Sequence, residues 1–254
     1  ELYARKSFPN SDKGFCALLV WMNKLTEPSI ETRFVMEATG VYHEKLAYFL
    51  YGQGQLITVV LPNKISNYFR TLETKTITDK TASDAIARFG LERKLDNWKP
   101  ASPVYKKLRQ LTRERDQLVQ NRTIAKNQLH AEQSEAEPNK TSLARVKKLI
   151  FLLDKQEKEI KAELAALVKQ NEEVKRKVEL IISIPGVGAL TAVTVLAETN
   201  GFELIRNKKQ LTSYAGLDVK EKQSGTSVKG KAVISKKGNK FLRKTMHLPA
   251  LASI

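Results

Sequence analysis

Residues 34–61 read FVMEATGVYHEKLAYFLYGQGQLITVVL. A short apolar strand ends at Glu37, a helix is expected from Tyr42 to Leu50, and a buried strand is expected from Leu56 to Leu61. Two glycines separate the helix from the second strand. A strand, a short crossover helix and a second strand place the two strands side by side in the same direction. The stretch therefore predicts a parallel pair within an α/β layer.

Another helix is expected to begin near Thr81, and from about residue 104 the pattern changes to long helices. Apolar residues recur every three or four positions from Val104 to Leu129 and again from Val146 to Ile181. Sustained spacing of this kind predicts a coiled coil or an antiparallel helical hairpin. We expect these helices to act as a spacer and as a contact between copies of the chain.

The composition favours a polyanionic partner. The 254 residues include 44 Lys and Arg against 27 Asp and Glu, which leaves a net charge of +17. Nucleic acid is the first expectation and an anionic membrane the second. No apolar run reaches the length of a membrane span, and no signal peptide opens the chain. A single cysteine, Cys16, excludes a disulfide within the chain and argues against a cysteine zinc site. We therefore expect a cytoplasmic protein.

The positive charge is concentrated near the end of the chain. Twelve Lys or Arg residues stand between residues 206 and 244 against two acidic residues, Asp218 and Glu221. The stretch IPGVG, residues 184–188, precedes this region and is similar to the turn of helix–hairpin–helix elements. Gly186 and Gly188 would allow the backbone to approach a phosphate, without reading base sequence. The alternative is a plain helix-to-helix connection held by packing.

Ser224 lies in the stretch Gln-Ser-Gly-Thr-Ser, residues 223–227, and lysines flank it on both sides. Cations at this position could stabilise the charge that develops on an attacked phosphodiester. From local chemistry alone, a loop that only contacts phosphates is the favoured interpretation. The candidate phosphate-binding side chains are Lys220, Lys222, Lys229, Lys231, Lys236, Lys237, Lys240 and Arg243.

Three acidic residues of the first region are candidate metal ligands. Glu37 stands at a strand end, and Asp79 and Asp84 lie near a helix start. Carboxylates gathered at a sheet edge can hold Mg²⁺ ions, which activate a nucleophile and stabilise a leaving oxygen. Solvated acidic residues are common, so the residues alone leave this interpretation open.

Several motifs occur in an order that is similar to one family. They are Val35 to Tyr42 (VMEATGVY), Thr78 to Ala85, the IPGVG stretch, and Tyr214 to Leu217 (YAGL) followed by QSG and Ser235 to Asn239 (SKKGN). The chain resembles the IS110 insertion-sequence transposases, which are related to the Piv invertases. The resemblance covers nearly the whole chain.

The resemblance implies an α/β plus all-α fold in three parts. Residues 1–100 would form a partial RuvC-like (RNase H-like) α/β domain with DEDD carboxylates. Residues 101–180 would form long antiparallel coiled-coil helices, and residues 181–254 a helical transposase domain with a helix–hairpin–helix-like element. It also implies binding to DNA, guidance by a bridge RNA, Mg²⁺ as the cofactor and assembly into a dimer or tetramer through the coiled coil, with no membrane partner.

Carried over by residue, the resemblance makes Glu37 and Asp84 metal ligands and Ser224 the nucleophile that forms a 5′-phosphoserine with DNA. Ser227 is the fallback nucleophile. The first Asp of the set has no counterpart, and both chain ends look cut, so we expect a fragment that is inactive alone. Thr81 occupies the position where the family pattern has an Asp. Asp79 could substitute only if the helix begins after it, because it lies about 140° round a continuous helix from Asp84.

Three functions remain open at this stage. The leading one is a DNA transposase or recombinase that uses both the carboxylates and the serine. The alternatives are a RuvC-like metal-dependent nuclease without a covalent serine step, and a non-catalytic nucleic-acid-binding scaffold.

Overall fold

The computed structural model describes residues 4–27, 29–72, 76–221, 223–224 and 228–252, and gives the backbone alone at residues 223, 224, 228 and 229. The chain divides into two compact units, Glu1–Pro100 and Ala101–Ile254. Most of the described residues are helical, and the few strands are short.

The first unit is built on the predicted strand–helix–strand stretch. Helix α1 (Asp12–Leu25) is followed by β1 (Arg33–Glu37), α2 (Glu44–Gly52) and β2 (Leu56–Val60). The strands pair in parallel with Glu37 opposite Val60, so the predicted parallel pair is confirmed. The buried positions of β2 alternate only partly, as expected for a strand covered on both faces.

Two more helices complete the described part of this unit. They are α3 (Pro62–Phe69) and α4 (Asp79–Glu92), and they pack around buried Val60, Tyr68 and Phe89. Helix α4 begins two residues before the predicted start. The reason is local: the Thr78 hydroxyl accepts from the Thr81 backbone N–H while the Thr81 hydroxyl accepts from the Thr78 N–H, a capping box.

The second unit opens with two long helices, α5 (Pro103–Gln133) and α6 (Lys140–Gln170). Later residues of α5 form ion pairs with earlier residues of α6. Arg115 binds Glu157, and Arg122, one helical repeat later, also binds Asp154. The two helices therefore lie antiparallel, joined by residues 134–139, and Asn139 caps α6 by accepting from the N–H groups of residues 141 and 142.

Two shorter helices, α7 (Glu172–Ile182) and α8 (Ala189–Glu198), pack against the long pair. One core cluster takes Leu108 from α5, Ile160 from α6, Val178 from α7 and Leu196 from α8. The predicted apolar seam through Ile181 is divided at Asn171, whose side chain accepts from the Val174 N–H and so starts a new helix. Asn171 thus interrupts the seam because its side-chain oxygen accepts a hydrogen bond from an N–H group in the first turn of α7.

The end of the second unit contains short strands, although the sequence predicts a helical domain there. Helix α9 (Lys208–Ala215) leads into β3 (Val219–Lys220), β4 (Gln223–Ser224), β5 (Val228–Lys229) and β6 (Val233–Ile234). Strand β3 pairs with β6 and β4 with β5, both antiparallel. The helices α10 (Lys240–Thr245) and α11 (His247–Ala252) follow. In the described part of the chain, no helix is long and apolar enough to span a membrane.

Candidate functional site

Glu37 is placed by the parallel strand pair of the first unit. It is the last residue of β1, and the next residue is fixed to β2 by a hydrogen bond from the Ala38 N–H to the Val60 carbonyl, 2.9 Å long. Glu37 is half-buried and lines an open cavity of about 1180 Å³, which Asp79 also lines. The carboxylate therefore stands at a strand end, as the sequence predicts.

Asp84 lies on α4 and is bound by Arg5. The Arg5 Nε donates to Asp84 Oδ1 at 2.9 Å, and the second guanidinium nitrogen contacts Oδ2. The Asp84 side chain is 21% exposed. A bidentate guanidinium neutralises the carboxylate and takes oxygens that a cation would need.

Asp79 is the first residue of α4 and is exposed. The sequence allowed Asp79 to substitute for the residue at position 81 only if the helix began after Asp79. The helix begins at Asp79 itself, with Thr78 as its N-cap, so this condition is not met. Thr81 is part of the same capping box. Asp79 and Asp84 consequently lie about 140° apart round one helix.

The described residues do not make a complete metal site. Among them, no group of three His, Cys, Asp or Glu side chains comes together. Carboxylates are the ligands that Mg²⁺ prefers. Glu37 and Asp84 have that chemistry, and in this structure the Asp84 carboxylate is bound by Arg5.

Ser224 lies on β4, one of four short strands in the second unit. We call the two strand pairs, residues 219–220 with 233–234 and residues 223–224 with 228–229, the arm. The β3–β6 pair forms its root and the β4–β5 pair its outer part, in which Ser224 pairs with Val228. Gly225, Thr226 and the fallback nucleophile Ser227 lie outside the described residues, as does Lys222.

The root of the arm is tied to the segment that follows it. The Ser235 N–H donates to the Asp218 carbonyl at 2.8 Å, and the Ser235 hydroxyl donates to the Asp218 carboxylate at 2.7 Å. Gly216 has φ of +69°, and the Lys236 N–H donates to its carbonyl. The two chain segments that enter and leave the arm are therefore held together by backbone hydrogen bonds.

The predicted cationic residues divide into two groups. Arg243 is half-buried and donates to the Ala215 carbonyl at 2.8 Å, so its first role is to hold α10 against the end of α9. The lysines whose side chains are described are all exposed, which leaves their charges accessible to phosphates; they are Lys220, Lys231, Lys236, Lys237 and Lys240. The side chain of Lys229 lies outside the described part of the chain.

The IPGVG stretch connects α7 to α8. Gly186 has φ of +80°, and a Cβ there would lie 2.8 Å from the Ala252 Cβ, so glycine is needed both for conformation and for space. Gly188 is the N-cap of α8 and makes no side-chain capping hydrogen bond. A Cβ at Gly188 would meet nothing within 4 Å, so the helix N-terminus is open at this residue.

Sequence reasoning did not single out a buried carboxylate at the end of α8. Glu198 is 1% exposed, and Arg113 binds it with two hydrogen bonds of 2.8 Å. Asn239 donates to the same carboxylate at 2.6 Å. The hydrogen bonds from Arg113 to Glu198 raise the pKa of the Arg113 guanidinium above its ordinary value. One sequence feature could have indicated Glu198: it is the single acidic residue at the end of the mainly apolar stretch 189–197. A charge that is buried with such a helix needs hydrogen-bond or ion-pair partners.

Comparison with protein families agrees with the sequence motifs. Residues 1–134 match the family model for DEDD transposases of the IS110 type, described as "Transposase". Residues 178–254 match the model described as "Transposase IS116/IS110/IS902 family". The chain belongs to the IS110 family of transposases. The predicted resemblance is confirmed.

This IS110-family transposase is also similar to curated proteins. It is 28% identical over 249 residues to the pilin gene-inverting protein of Moraxella bovis. The matched residues cover 96% of this chain and 74% of that protein. The same values hold for the pilin gene-inverting protein of Moraxella lacunata. The transposase of insertion sequence element IS1111A from Coxiella burnetii is 39% identical over 84 residues, 32% of this chain and 21% of that protein.

The IS110-family transposase is thus an enzyme, a DNA transposase or recombinase, and the enzyme class expected from the sequence is confirmed. Its DEDD-type domain indicates dependence on a divalent metal ion. The scaffold alternative, in which the chain only binds nucleic acid, is therefore not favoured.

Proposed function

We propose that this transposase cuts and rejoins DNA through a covalent phosphoserine at Ser224. The observation that carries the proposal is the arm. It holds the Ser224 backbone on a strand pair next to a root that is hydrogen-bonded to the chain segments beside it, and Lys220 and Lys231 of the same stretch are exposed. A nucleophile of this kind needs a fixed backbone and nearby cations that stabilise charge on the attacked phosphate.

The chemistry balances without an external energy source. The Ser224 Oγ attacks phosphorus, its proton is released, and a new O–P bond forms while the bond from phosphorus to the 3′ oxygen breaks. The 3′ oxygen leaves and is protonated, and the 5′ phosphate stays esterified to serine. Attack by another 3′-hydroxyl reverses the step and joins strands. Because one phosphoester replaces another, no ATP is required.

We infer that the divalent metal is Mg²⁺ and that Glu37 and Asp84 are two of its ligands, with Asp79 as an alternative to the residue at position 81. When bound, the metal would supply charge that assists attack on the phosphodiester. In support, Glu37 stands at a strand end and both residues are hard oxygen ligands. Asp84 must first leave Arg5.

We propose that the three predicted regions have separate roles. Residues 1–100 carry the carboxylates, residues 101–180 form a spacer and a contact between copies in a dimer or tetramer, and residues 181–254 carry the serine. Support for the contact comes from α6, where three apolar residues are exposed: Leu149 at 45%, Phe151 at 73% and Leu152 at 49%. Residues 149–153 (LIFLL) form one helical turn that is apolar all round, which is typical of burial in an assembly.

We also propose that DNA and a guide RNA are bound through phosphates, so that base sequence is read by the RNA. Support comes from the net charge of +17, from the exposed lysines of residues 220–240, and from the open helix terminus at Gly188. Phosphate contacts position a nucleic acid and carry no base information.

Trapping of the covalent adduct tests the serine step. The intact transposase is incubated with its RNA and end-labelled substrate DNA, and adducts that survive denaturation are mapped by mass spectrometry. We expect an adduct in the wild type and in Ser227→Ala, and none in Ser224→Ala. An adduct that survives in Ser224→Ala and disappears in Ser227→Ala would move the role to Ser227. Cleavage without any adduct would favour the metal-dependent nuclease.

A further inference from the structure

Glu198 is a buried charge whose partners lie on distant parts of the second unit. It is the last residue of α8 and is 1% exposed. Arg113, from α5, donates to both of its carboxylate oxygens, and Asn239, which precedes α10, donates to Oε2. A buried carboxylate is costly unless it accepts several hydrogen bonds, and Glu198 accepts from both of these side chains.

The same residues reach the root of the arm. The Tyr214 hydroxyl donates to the Glu198 carbonyl at 3.1 Å, and the Asn239 N–H donates to the Tyr214 carbonyl at 2.7 Å. Tyr214 lies two residues before Gly216, whose carbonyl accepts from Lys236. Both chain segments at the root of the arm are therefore connected to Glu198 through hydrogen bonds.

The Asn239 side chain also caps α10, so the hydrogen bonds around Glu198 extend to that helix. Its side-chain oxygen accepts from the N–H groups of Phe241 and Leu242 at 3.0 and 3.1 Å, while its amide nitrogen donates to Glu198. The orientation of the Asn239 amide is thereby set by both partners. Arg113 also lies over the Phe241 ring, 4.6 Å from its centre.

We propose that Glu198, whose carboxylate is held by Arg113, is a positioning residue for DNA cleavage, which fixes the root of the Ser224 arm through Asn239. The proposal rests on the proposed role of Ser224. A hydrophobic cluster could stabilise the same packing, but it would not set the direction of the Asn239 amide. The carboxylate supplies that direction because it only accepts hydrogen bonds.

The first variant is Glu198→Gln. The amide nitrogen that it introduces is a donor, and it would face either Asn239 or Arg113, which are also donors. We expect the cleavage rate at saturating DNA to fall by about 100-fold, as for a small displacement of a reacting group. The DNA concentration for half-maximal rate should stay within about twofold, because the network contains none of the exposed lysine side chains that the structure describes.

The double variant Glu198→Gln with Asn239→Asp separates positioning from simple packing. The new amide at position 198 would donate to the new carboxylate at position 239, whose other oxygen can still cap α10. We expect the double variant to recover most of the lost rate, and Asn239→Asp alone to lose rate because two carboxylates then face each other. Glu163→Gln removes an exposed ion pair with Lys107 on the long helices and serves as the matched control, with an unchanged rate.

All variants are made in the intact transposase used for adduct trapping, and thermal unfolding is measured beside cleavage. If Glu198→Gln does not fold, the comparison of Asn239→Asp with the double variant carries the same test. A wild-type rate in folded Glu198→Gln would overturn the proposal, as would a loss that the double variant does not repair. Cleavage that persists in Ser224→Ala would instead overturn the role of Ser224, whatever the Glu198 variants show.

Discussion

The Arg5 guanidinium donates to both carboxylate oxygens of Asp84, with Nε 2.9 Å from Oδ1. The two residues are separated by 79 positions in the chain. Asp84 is also the acidic residue that the resemblance to the family predicts to be a metal ligand. The residue expected to bind a cation is therefore bound to a cationic side chain instead.

Replacement of Arg5 should strengthen metal binding at Asp84. In Arg5→Gln the carboxylate loses its competing partner, so we expect Mn²⁺, used as a paramagnetic probe for Mg²⁺, to bind several-fold more tightly. Electron paramagnetic resonance titration measures the free ion. Arg5→Gln with Asp84→Asn should lose the gain, and Lys13→Gln, which changes the charge equally, should not produce it. Equal Mn²⁺ affinity in wild type and Arg5→Gln would contradict the prediction.

Glu157 should make the stability of the long helices depend on acid pH. Burial alone would raise its pKa, but hydrogen bonds from Lys161, Arg115 and Arg122 lower it from 4.5 to about 2. Because the pKa is lower in the folded state than in the unfolded state, the charged Glu157 stabilises the fold at pH values above about 4.5. This contribution to the free energy of unfolding is lost as pH falls from about 4.5 to 2.

The measurement compares wild type with Glu157→Gln by urea unfolding at several pH values. At pH 6 we expect the variant to be less stable by roughly 3 kcal/mol, because two guanidinium groups lose a buried partner. The difference should shrink steeply as pH falls from about 4.5 to 2, where about half of Glu157 in the folded state is protonated. Glu163→Gln, at an exposed pair, should differ by less than about 1 kcal/mol at every pH. A Glu157→Gln difference that stays constant down to pH 2 would rule out this account.

Gly238 should tolerate no side chain. A Cβ there would lie 2.5 Å from the Gly216 nitrogen and 2.5 Å from the Tyr214 carbonyl oxygen. Both are backbone atoms, so the clash could be relieved only by a shift of the main chain. We expect Gly238→Ala to destabilise the unit by about 2 kcal/mol or more and to speed hydrogen exchange at Lys236 and Asn239.

Gly52→Ala is the matched control for Gly238→Ala. Gly52 ends α2, and a Cβ there would meet nothing within 4 Å. Alanine is the better helix former, so stability should be unchanged or slightly increased. If thermal unfolding shows the two variants to be equally stable, the close backbone approach at Gly238 is not a constraint.

DNA binding should weaken steeply with salt. Each lysine that contacts a phosphate contributes about 0.9 to the slope of log affinity against log salt. We expect Lys236→Gln and Lys237→Gln each to lower the slope by about that amount. Lys158→Gln, exposed on α6, should leave it unchanged. Fluorescence anisotropy from about 50 to 200 mM salt measures the slope, and a flat wild-type response would refute phosphate contact as the main source of affinity.

Self-association should depend on Phe151, which is 73% exposed on α6. Phe151→Glu places a charge in the proposed contact, so we expect the assembly to dissociate at least about tenfold more readily in sedimentation equilibrium. Ile77→Glu, at another residue that is 75% exposed, is the control and should leave the mass unchanged. An assembly of unchanged mass in Phe151→Glu would remove α6 from the contact.

Local patterns in the sequence predicted the regular elements of the fold. The parallel pair of β1 and β2 and the long helices follow from apolar spacing, because each pattern depends on neighbours within a few residues. The family was also recognisable from ordered motifs. The same local reasoning erred by two residues at α4, where two threonines form the capping box, and it did not predict the strands of the arm.

Only the tertiary structure decided which charges meet. Arg5 and Asp84 are 79 residues apart, and Arg113 and Glu198 are 85 residues apart. No local periodicity encodes such pairs, because they depend on how separate elements pack. The sequence by itself thus determined the parallel strand pair, the long helices, the positive charge and the family. Packing alone decided that Asp84 lies beside an arginine and that Glu198 is connected to the root of the Ser224 arm. At Glu198 the physical reason is burial, because a buried charge is costly unless the fold brings hydrogen-bond partners to it.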